Sequence, residues 1–263
     1  MYTFTFERPA SLADASKLAG AGGKVLAGGQ TLLASMKLRL ANPGQLVDLG
    51  AVRELSGIKR EGNNLVIGAM TRHAEVAASK DVRDAIPALA DLAGGIGDRQ
   101  VRALGTIGGS IANNDPAACY PSAVLALNAT VTTTQRKIAA DDFFQGLFTT
   151  ALEEGELITS VSFPIPRRAA YVKFRQPASR FALIGVFVAD TGSGVRVAVT
   201  GGGNGVVRHQ ELEDALGKAF TPQSAASVKV SAEGLSSDLH ASAEYRANLI
   251  GVMAQRAVAK ALG

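Results

Sequence analysis

The sequence predicts an α+β fold, and three features of its patterning carry that prediction. Residues 2–49 alternate strand and helix patterns in the order β, α, β, α, β. Residues 57–70 alternate strand and turn as a β hairpin. Beyond residue 168, three strand patterns follow one another before three helical ones, which is the segregation expected of an α+β unit.

Taken in order, residues 2–6 alternate apolar and polar side chains as a strand. Ser11 can cap a helix running to about residue 19, and residues 24–27 form a short apolar strand ending in Gly28-Gly29. Residues 30–40 place Leu32, Leu33, Met36 and Leu40 at helical spacing, and Asn42-Pro43-Gly44 stops that helix before a strand at 46–49. Gly62-Asn63-Asn64 supplies the hairpin turn. Helices are expected at 72–78 and 86–93, then glycine-rich loops at 94–97 and 105–110. An apolar helix at 121–129 has Pro121 near its first turn, where a missing N–H costs nothing. A strand pair at 130–134 and 137–139 and a strand at 157–163 lead to Pro164 and Pro166, which end the first unit. Three antiparallel strands, at 171–175, 181–188 and 195–200, and helices at 211–219, 224–230 and 244–262 complete the chain.

Composition removes several function classes. A hydrophobic share of 47% over 263 residues can bury a core, so a disordered chain is excluded. No Trp and 5% aromatic residues argue against a stacking platform for single-stranded nucleic acid, and a net charge of +4 without like-charge blocks makes nucleic acid a poor partner. The single cysteine, Cys119, permits neither an internal disulfide nor a cysteine-ligated iron–sulfur cluster in this chain. No run of 18 apolar residues occurs, and the start lacks a basic region followed by an apolar one; a cytoplasmic protein without membrane insertion is expected.

The familiar catalytic signatures fail on inspection. Gly201-Gly202-Gly203-Asn204-Gly205 does not continue into a dinucleotide fingerprint, since Val206 and Arg208 stand where glycine is needed, and no Gly-Lys pair is followed by Ser or Thr. His73, His209 and His240 have no metal-site spacing, so no metal ligand is assigned. Ser110 misses a nucleophile elbow at its last position, and no catalytic side chain is assigned. Two glycine loops remain, Ala27-Gly28-Gly29-Gln30-Thr31 and Gly105-Thr106-Ile107-Gly108-Gly109-Ser110. Successive main-chain N–H groups, joined by hydroxyls from Thr31, Thr106 and Ser110, suit the oxygens of a diphosphate. Each loop alone could equally be a tight turn without a ligand.

These residues resemble a known family, the FAD-binding or medium subunit of the molybdenum-containing hydroxylases, which includes xanthine dehydrogenase, carbon monoxide dehydrogenase and aldehyde oxidase. The resemblance rests on AGGQTLL at 27–33, MKLR at 36–39, VDL at 47–49, IGAMT at 67–71 and QVRALGTIGGSIANNDPAACYPSAVLAL at 100–127. GELI at 155–158 and YVKF at 171–174 keep the same order. It implies a two-subdomain FAD-binding domain of the vanillyl-alcohol-oxidase/PCMH type over 1–166, with subdomains at about 1–56 and 57–166. A smaller α+β C-terminal domain with a three-stranded antiparallel sheet would occupy 167–263.

Carried over by position, the resemblance puts Leu26, Ala27, Gly28, Gly29, Gln30, Thr31 and Leu32 in a first cradle for the FAD diphosphate. Thr106, Gly108, Gly109 and Ser110 form a second, with Asn113 and Asp115 beyond it. Ile96 and Leu104 lie on the adenine side, Ile158 near the isoalloxazine, and Lys173 at a polar edge of the ring, where an ammonium would stabilise charge on reduced flavin. Two positions depart from the family pattern. Cys119 stands where many relatives have an aspartate that would bond the ribose region, leaving that task to backbone or Tyr120; since nothing nearby in sequence supplies an obvious thiolate-stabilising charge, a buried inert thiol is expected. In Ser179-Arg180-Phe181-Ala182, Phe181 replaces a tyrosine and can cover a flavin face without donating a hydrogen bond, while Arg180 reverses a charge.

The implied function is electron transfer. A small subunit with two [2Fe-2S] clusters would deliver electrons from a large molybdenum-cofactor subunit to FAD in this chain, and FAD would pass them to a terminal acceptor. A dimer of heterotrimers is the implied assembly. A self-contained flavin oxidoreductase of the same fold and a flavin-free interaction protein are the alternatives.

Overall fold

The computed structural model describes residues 1–263. The N-terminal strands Thr5–Glu7 and Lys24–Leu26 both pair in parallel with Gln45–Asp48, which lies between them. Ser11 caps the intervening helix Leu12–Gly20 as expected, its hydroxyl accepting from Asp14 N at 3.2 Å. The helix read over 30–40 is shorter, Leu32–Lys37, because Arg39 takes a left-handed φ of 61° that no helix continues. Leu26, Met36 and Leu46 form a small core beneath it.

A second sheet, antiparallel, has the order Ile58–Glu61, Asn64–Gly68, Ile158–Pro164, Thr130–Thr133, Lys137–Ala139. Val161 sits at its centre, registered against Ile67 on one side and Val131 on the other, and all three are fully buried. Helices stack beside this sheet, and several go beyond the sequence reading, including the single turn Ala140–Phe143; two others are Lys80–Ala85 and Arg99–Leu104. Their caps were legible, since Ser79 accepts from Val82 N and Asp98 accepts from Val101 N. A larger correction concerns residues 105–110. Only Gly105 and Thr106 are loop; Thr106 caps the helix Ile107–Asn113, so Gly108, Gly109 and Ser110 lie in its first turn. Glycine's poor helix propensity hid this, and the close packing described below is what repays it.

The C-terminal sheet has four strands where three were expected: Arg168–Arg175, Ala182–Asp190, Val195–Thr200 and Val207–Arg208, in that order. The fourth is two residues long and carries no periodicity to read. Every residue from Ala182 to Ala189 is buried because both faces of this sheet are covered. Val186 and Val188 point to a 17-residue core under the long helix Ala243–Leu262, while Phe187 and Ala189 join a 34-residue core continuous with the second sheet and the helix Tyr120–Ala126. One core therefore runs across the Pro164–Pro166 boundary. Arg246, 4% exposed, ties the long helix to the sheet by donating to Leu183 O and Gly201 O at 2.9 and 2.6 Å and by pairing with Asp238 at 2.8 Å. No helix is long and apolar enough to cross a membrane.

The short hairpin Phe144–Gly146 and Thr149–Thr150 is held onto the C-terminal end of Ile107–Asn113 by one residue. Asn114, fully buried at a left-handed φ of 44°, donates from Nδ2 to Gly146 O at 2.7 Å and Thr149 O at 2.8 Å. Asn114→Ala is expected to cost about 2–3 kcal/mol from two lost buried hydrogen bonds and a left-handed Cβ without compensation. A thermal melt would register this as a midpoint several degrees lower; an unchanged midpoint would show the hairpin to be held by other contacts.

Candidate cofactor site

The first glycine loop follows the strand Lys24–Leu26 and opens the helix Leu32–Lys37. Its main-chain N–H groups, from Ala27 through Thr31, meet no acceptor in the protein. Five successive unpartnered donors make a nest for an anion, and they line a cavity of about 1170 Å³. That volume is somewhat above the roughly 300–1,000 Å³ of common small-molecule sites, as a dinucleotide-sized ligand requires.

The second loop works differently from the expectation. Ile107 N donates to Thr71 O, Gly108 N to Ala69 O, Gly109 N to Thr106 Oγ1 and Ser110 N to Thr106 O. With those donors engaged, this loop presents hydroxyls to the cavity rather than a row of N–H groups. Its backbone is templated by the segment 69–73: His73 N donates to Gly105 O at 2.9 Å, and Arg72 and Thr106 form an isolated β-bridge. The glycines allow close approach of chain to chain. A Cβ on Gly28 would lie 2.3 Å from Leu104 O and 2.6 Å from Gly105 Cα; one on Gly105 would lie 2.6 Å from His73 Nε2; one on Gly108 would lie 2.6 Å from Ala69 Cβ. The two loops are thus in backbone contact and form one continuous wall.

All the sequence-assigned residues border this cavity except Leu104. Leu104 is 52% exposed, and it is its carbonyl, against Gly28, that matters here. Tyr120 does not border it either. Its ring is fully buried against His73 at 5.3 Å and its hydroxyl has no partner, so it cannot replace a missing ribose-binding carboxylate. Desolvation, with the Cys119 sulfur adding to it, pushes that hydroxyl's pKa far up.

Cys119 is buried as expected, but a charge does stand beside it. Lys173, brought by the strand Arg168–Arg175, places Nζ 3.4 Å from Cys119 Sγ and donates to Arg180 O at 2.7 Å. The pairing joins residues 54 positions apart, which is why no local pattern announced it. Arg180 holds a left-handed φ of 65° at the end of a turn in which Gln176 Oε1 accepts from Ala178 N and Ser179 N. Lys173, Arg180 and Phe181, whose ring meets His240 edge to face at 5.5 Å, all border the cavity. Neither Lys173 nor Arg180 has a carboxylate partner, so that stretch of the wall is positive.

Two of the wall residues that had not been assigned stand out. His73 is 5% exposed, and burial, with the Arg102 charge adding to it, lowers its pKa to about 4, so the imidazole is neutral at pH 7. Glu156 is buried in the GELI segment; burial would raise its pKa, but hydrogen bonds from Arg136, Thr133 and Glu153 N outweigh that and hold it below the usual value. It braces the wall through Arg136 as an ion pair at 3.1 Å. The motif marked Glu156 in the sequence; nothing local marked His73.

Comparison with known proteins gives a consistent pattern. The model of the FAD binding domain in molybdopterin dehydrogenase matches residues 2–166. The carbon monoxide dehydrogenase medium chain of Afipia carboxidovorans is 35% identical, with 98% of this chain and 96% of that one covered. The nicotine 6-hydroxylase medium subunit of Paenarthrobacter nicotinovorans is 36% identical over 97% and 96%. Reconstituted CO dehydrogenase from Oligotropha carboxidovorans contains a chain of the same fold, with TM-score 0.92, 33% identity and coverage of 99% and 98%.

Proposed function

Since the chain belongs to the family of FAD-binding domains of molybdopterin dehydrogenases, as a medium, FAD-binding subunit of the molybdenum hydroxylases, we propose that it transfers electrons within a heterotrimer. In this reading it takes electrons from [2Fe-2S] clusters of a small partner subunit, a large partner holds the molybdenum cofactor, and a terminal acceptor receives the electrons. The names of the relatives, medium chains and medium subunits of dehydrogenases and hydroxylases, support partners of this kind. A dimer of such heterotrimers is the proposed assembly.

The observation that carries the reading is the row of unpartnered N–H groups from Ala27 to Thr31 in the wall of a dinucleotide-sized cavity. FAD, when bound, supplies redox chemistry that couples one-electron and two-electron carriers. The chain's own residues bind and orient it. Ala27 to Thr31, flanked by Leu26 and Leu32, take the diphosphate on main-chain donors, and Ser110, with Asn113 and Asp115 beyond it, adds polar contacts from the second loop. Ile96 and Ile158 supply apolar wall. Lys173, held by Cys119 Sγ and Arg180 O, sets a fixed positive charge in that wall, which favours the cofactor's anionic reduced form. Phe181 covers a face without a hydroxyl. No side chain is required as nucleophile or metal ligand.

The test is an absorption spectrum of the purified chain after incubation with FAD and removal of free ligand, followed by denaturation and identification of what is released. Near-stoichiometric FAD is expected. A folded chain that stays colourless, alone and with its co-expressed partners, would overturn the assignment. Substrate oxidation by the isolated chain would instead favour a self-contained flavin oxidoreductase.

A further inference from the structure

We propose that the chain carries a second ligand site, a cationic cleft for a phosphate-bearing molecule, on the flank of the cofactor cavity. The cleft has a volume of about 900 Å³ and lies between the helix Pro87–Gly94, the strand Arg168–Arg175 and the end of the helix Ala243–Leu262. That strand is an edge of its sheet, so nothing pairs with it on this side. Ala90, Gly94 and Gly95 keep the floor low, and the charged groups around it are Arg83, Lys173, Arg175, Lys260 and Asp91.

Four cations therefore face one carboxylate. Asp91 is already paired with Lys260 at 2.6 Å, which leaves Arg83, Lys173 and Arg175 with no carboxylate at ion-pair distance. Arg83 Nε donates to Ala77 O at 3.1 Å, and Lys173 donates only to a carbonyl and a thiol. Some arginines elsewhere are compensated, as in Arg136 with Glu156, Arg168 with Asp190, Arg208 with Glu213 and Arg246 with Asp238; what distinguishes the cleft is that its uncompensated cations share one concavity. Uncompensated charge of one sign in a concavity focuses an attractive potential for anions. Two guanidinium forks and an ammonium match the several oxygens of a diphosphate or nucleotide phosphate better than they match a single carboxylate.

Lys173 borders both this cleft and the cofactor cavity. A bound anion would compensate part of the charge that faces the flavin, so occupancy of the cleft is felt at the cofactor. That consequence rests on the FAD reading; the binding itself does not.

Calorimetric titration of the FAD-loaded full-length chain with inorganic pyrophosphate tests the site, alongside the double variant Arg83→Gln/Arg175→Gln. Both arginines are solvent-exposed and outside the cofactor wall, so the variant is expected to fold and to retain FAD. Saturable binding is expected, at least tenfold weaker in the variant and weakening with added salt. Displacement of pyrophosphate by NAD+ would mark the source as a dinucleotide, and displacement by ADP alone would mark it as a mononucleotide. No saturable heat at millimolar pyrophosphate, or equal affinity in the two proteins, overturns the proposal. The flavin absorbance of the same samples reports separately on the FAD reading: a colourless sample would count against that reading, while the difference between wild type and variant would still decide the cleft.

Discussion

Alanine in place of Gly28 is expected to weaken FAD binding by about five- to 150-fold while leaving the fold intact. The added Cβ would lie 2.3 Å from Leu104 O and 2.6 Å from Gly105 Cα. Both are backbone atoms, so no side chain can rotate away and the two loops must separate. Overpacking of this kind costs roughly 1–3 kcal/mol, which is about five- to 150-fold in affinity if it falls on the bound geometry. Gly217 provides the control, since nothing lies within 4 Å of its Cβ position and it sits in the helix Gln210–Lys218. Gly217→Ala is expected to be neutral or slightly stabilising. Quenching of flavin fluorescence on titration reads both variants. Equal affinity for Gly28→Ala and wild type would mean that contact between the loops does not shape the cradle.

The second large effect is a loss of stability on mild acidification, carried by His73. Its folded pKa is about 4 against an unfolded value of 6.5, because the neutral ring is buried beside Tyr120 and the Arg102 charge opposes protonation. The unfolded chain therefore binds more protons than the folded one between those values, and stability falls as the pH falls through that window. The full shift corresponds to roughly 3 kcal/mol, of which about 2 kcal/mol is lost between pH 7 and pH 5. Urea unfolding at the two pH values measures it. His73→Gln removes the titrating group, so the variant should show a shallower pH dependence whatever its absolute stability. An identical pH slope in both proteins would show that His73 is not the group responsible. Glu156 acts in a lower window: its pKa is depressed in the folded state, so its contribution is complete above the ordinary glutamate value and is lost as the pH falls through the folded one.

Much of this was legible locally. The Ser11 cap and the Gly62-Asn63-Asn64 turn act over a few residues, and the elements they bound are present. The failures have equally specific causes. Gly108 and Gly109 read as loop because glycine disfavours helix, yet Thr106 caps a helix there and Ala69 fills the space a Cβ would need. Val207–Arg208 is too short to show a period. His73 gave no signal at all, because a single histidine on an amphipathic helix looks the same whether its ring faces water or a cavity.

What the sequence by itself determined is the row of main-chain donors in the first glycine loop, the succession of the main strands and helices and the family, since Ala27-Gly28-Gly29-Gln30-Thr31 between a strand and a helix builds those donors from five consecutive residues. Tertiary structure alone decided what those glycines are for, and it set Lys173 against Cys119 with the cationic cleft on its far side. It also ran one core through both halves of the chain. The physical reason is range. Caps, turns and nests are hydrogen-bonded within a few residues of themselves, whereas contacts such as Gly28 with Leu104 and Cys119 with Lys173 exist only once elements more than fifty residues apart have packed.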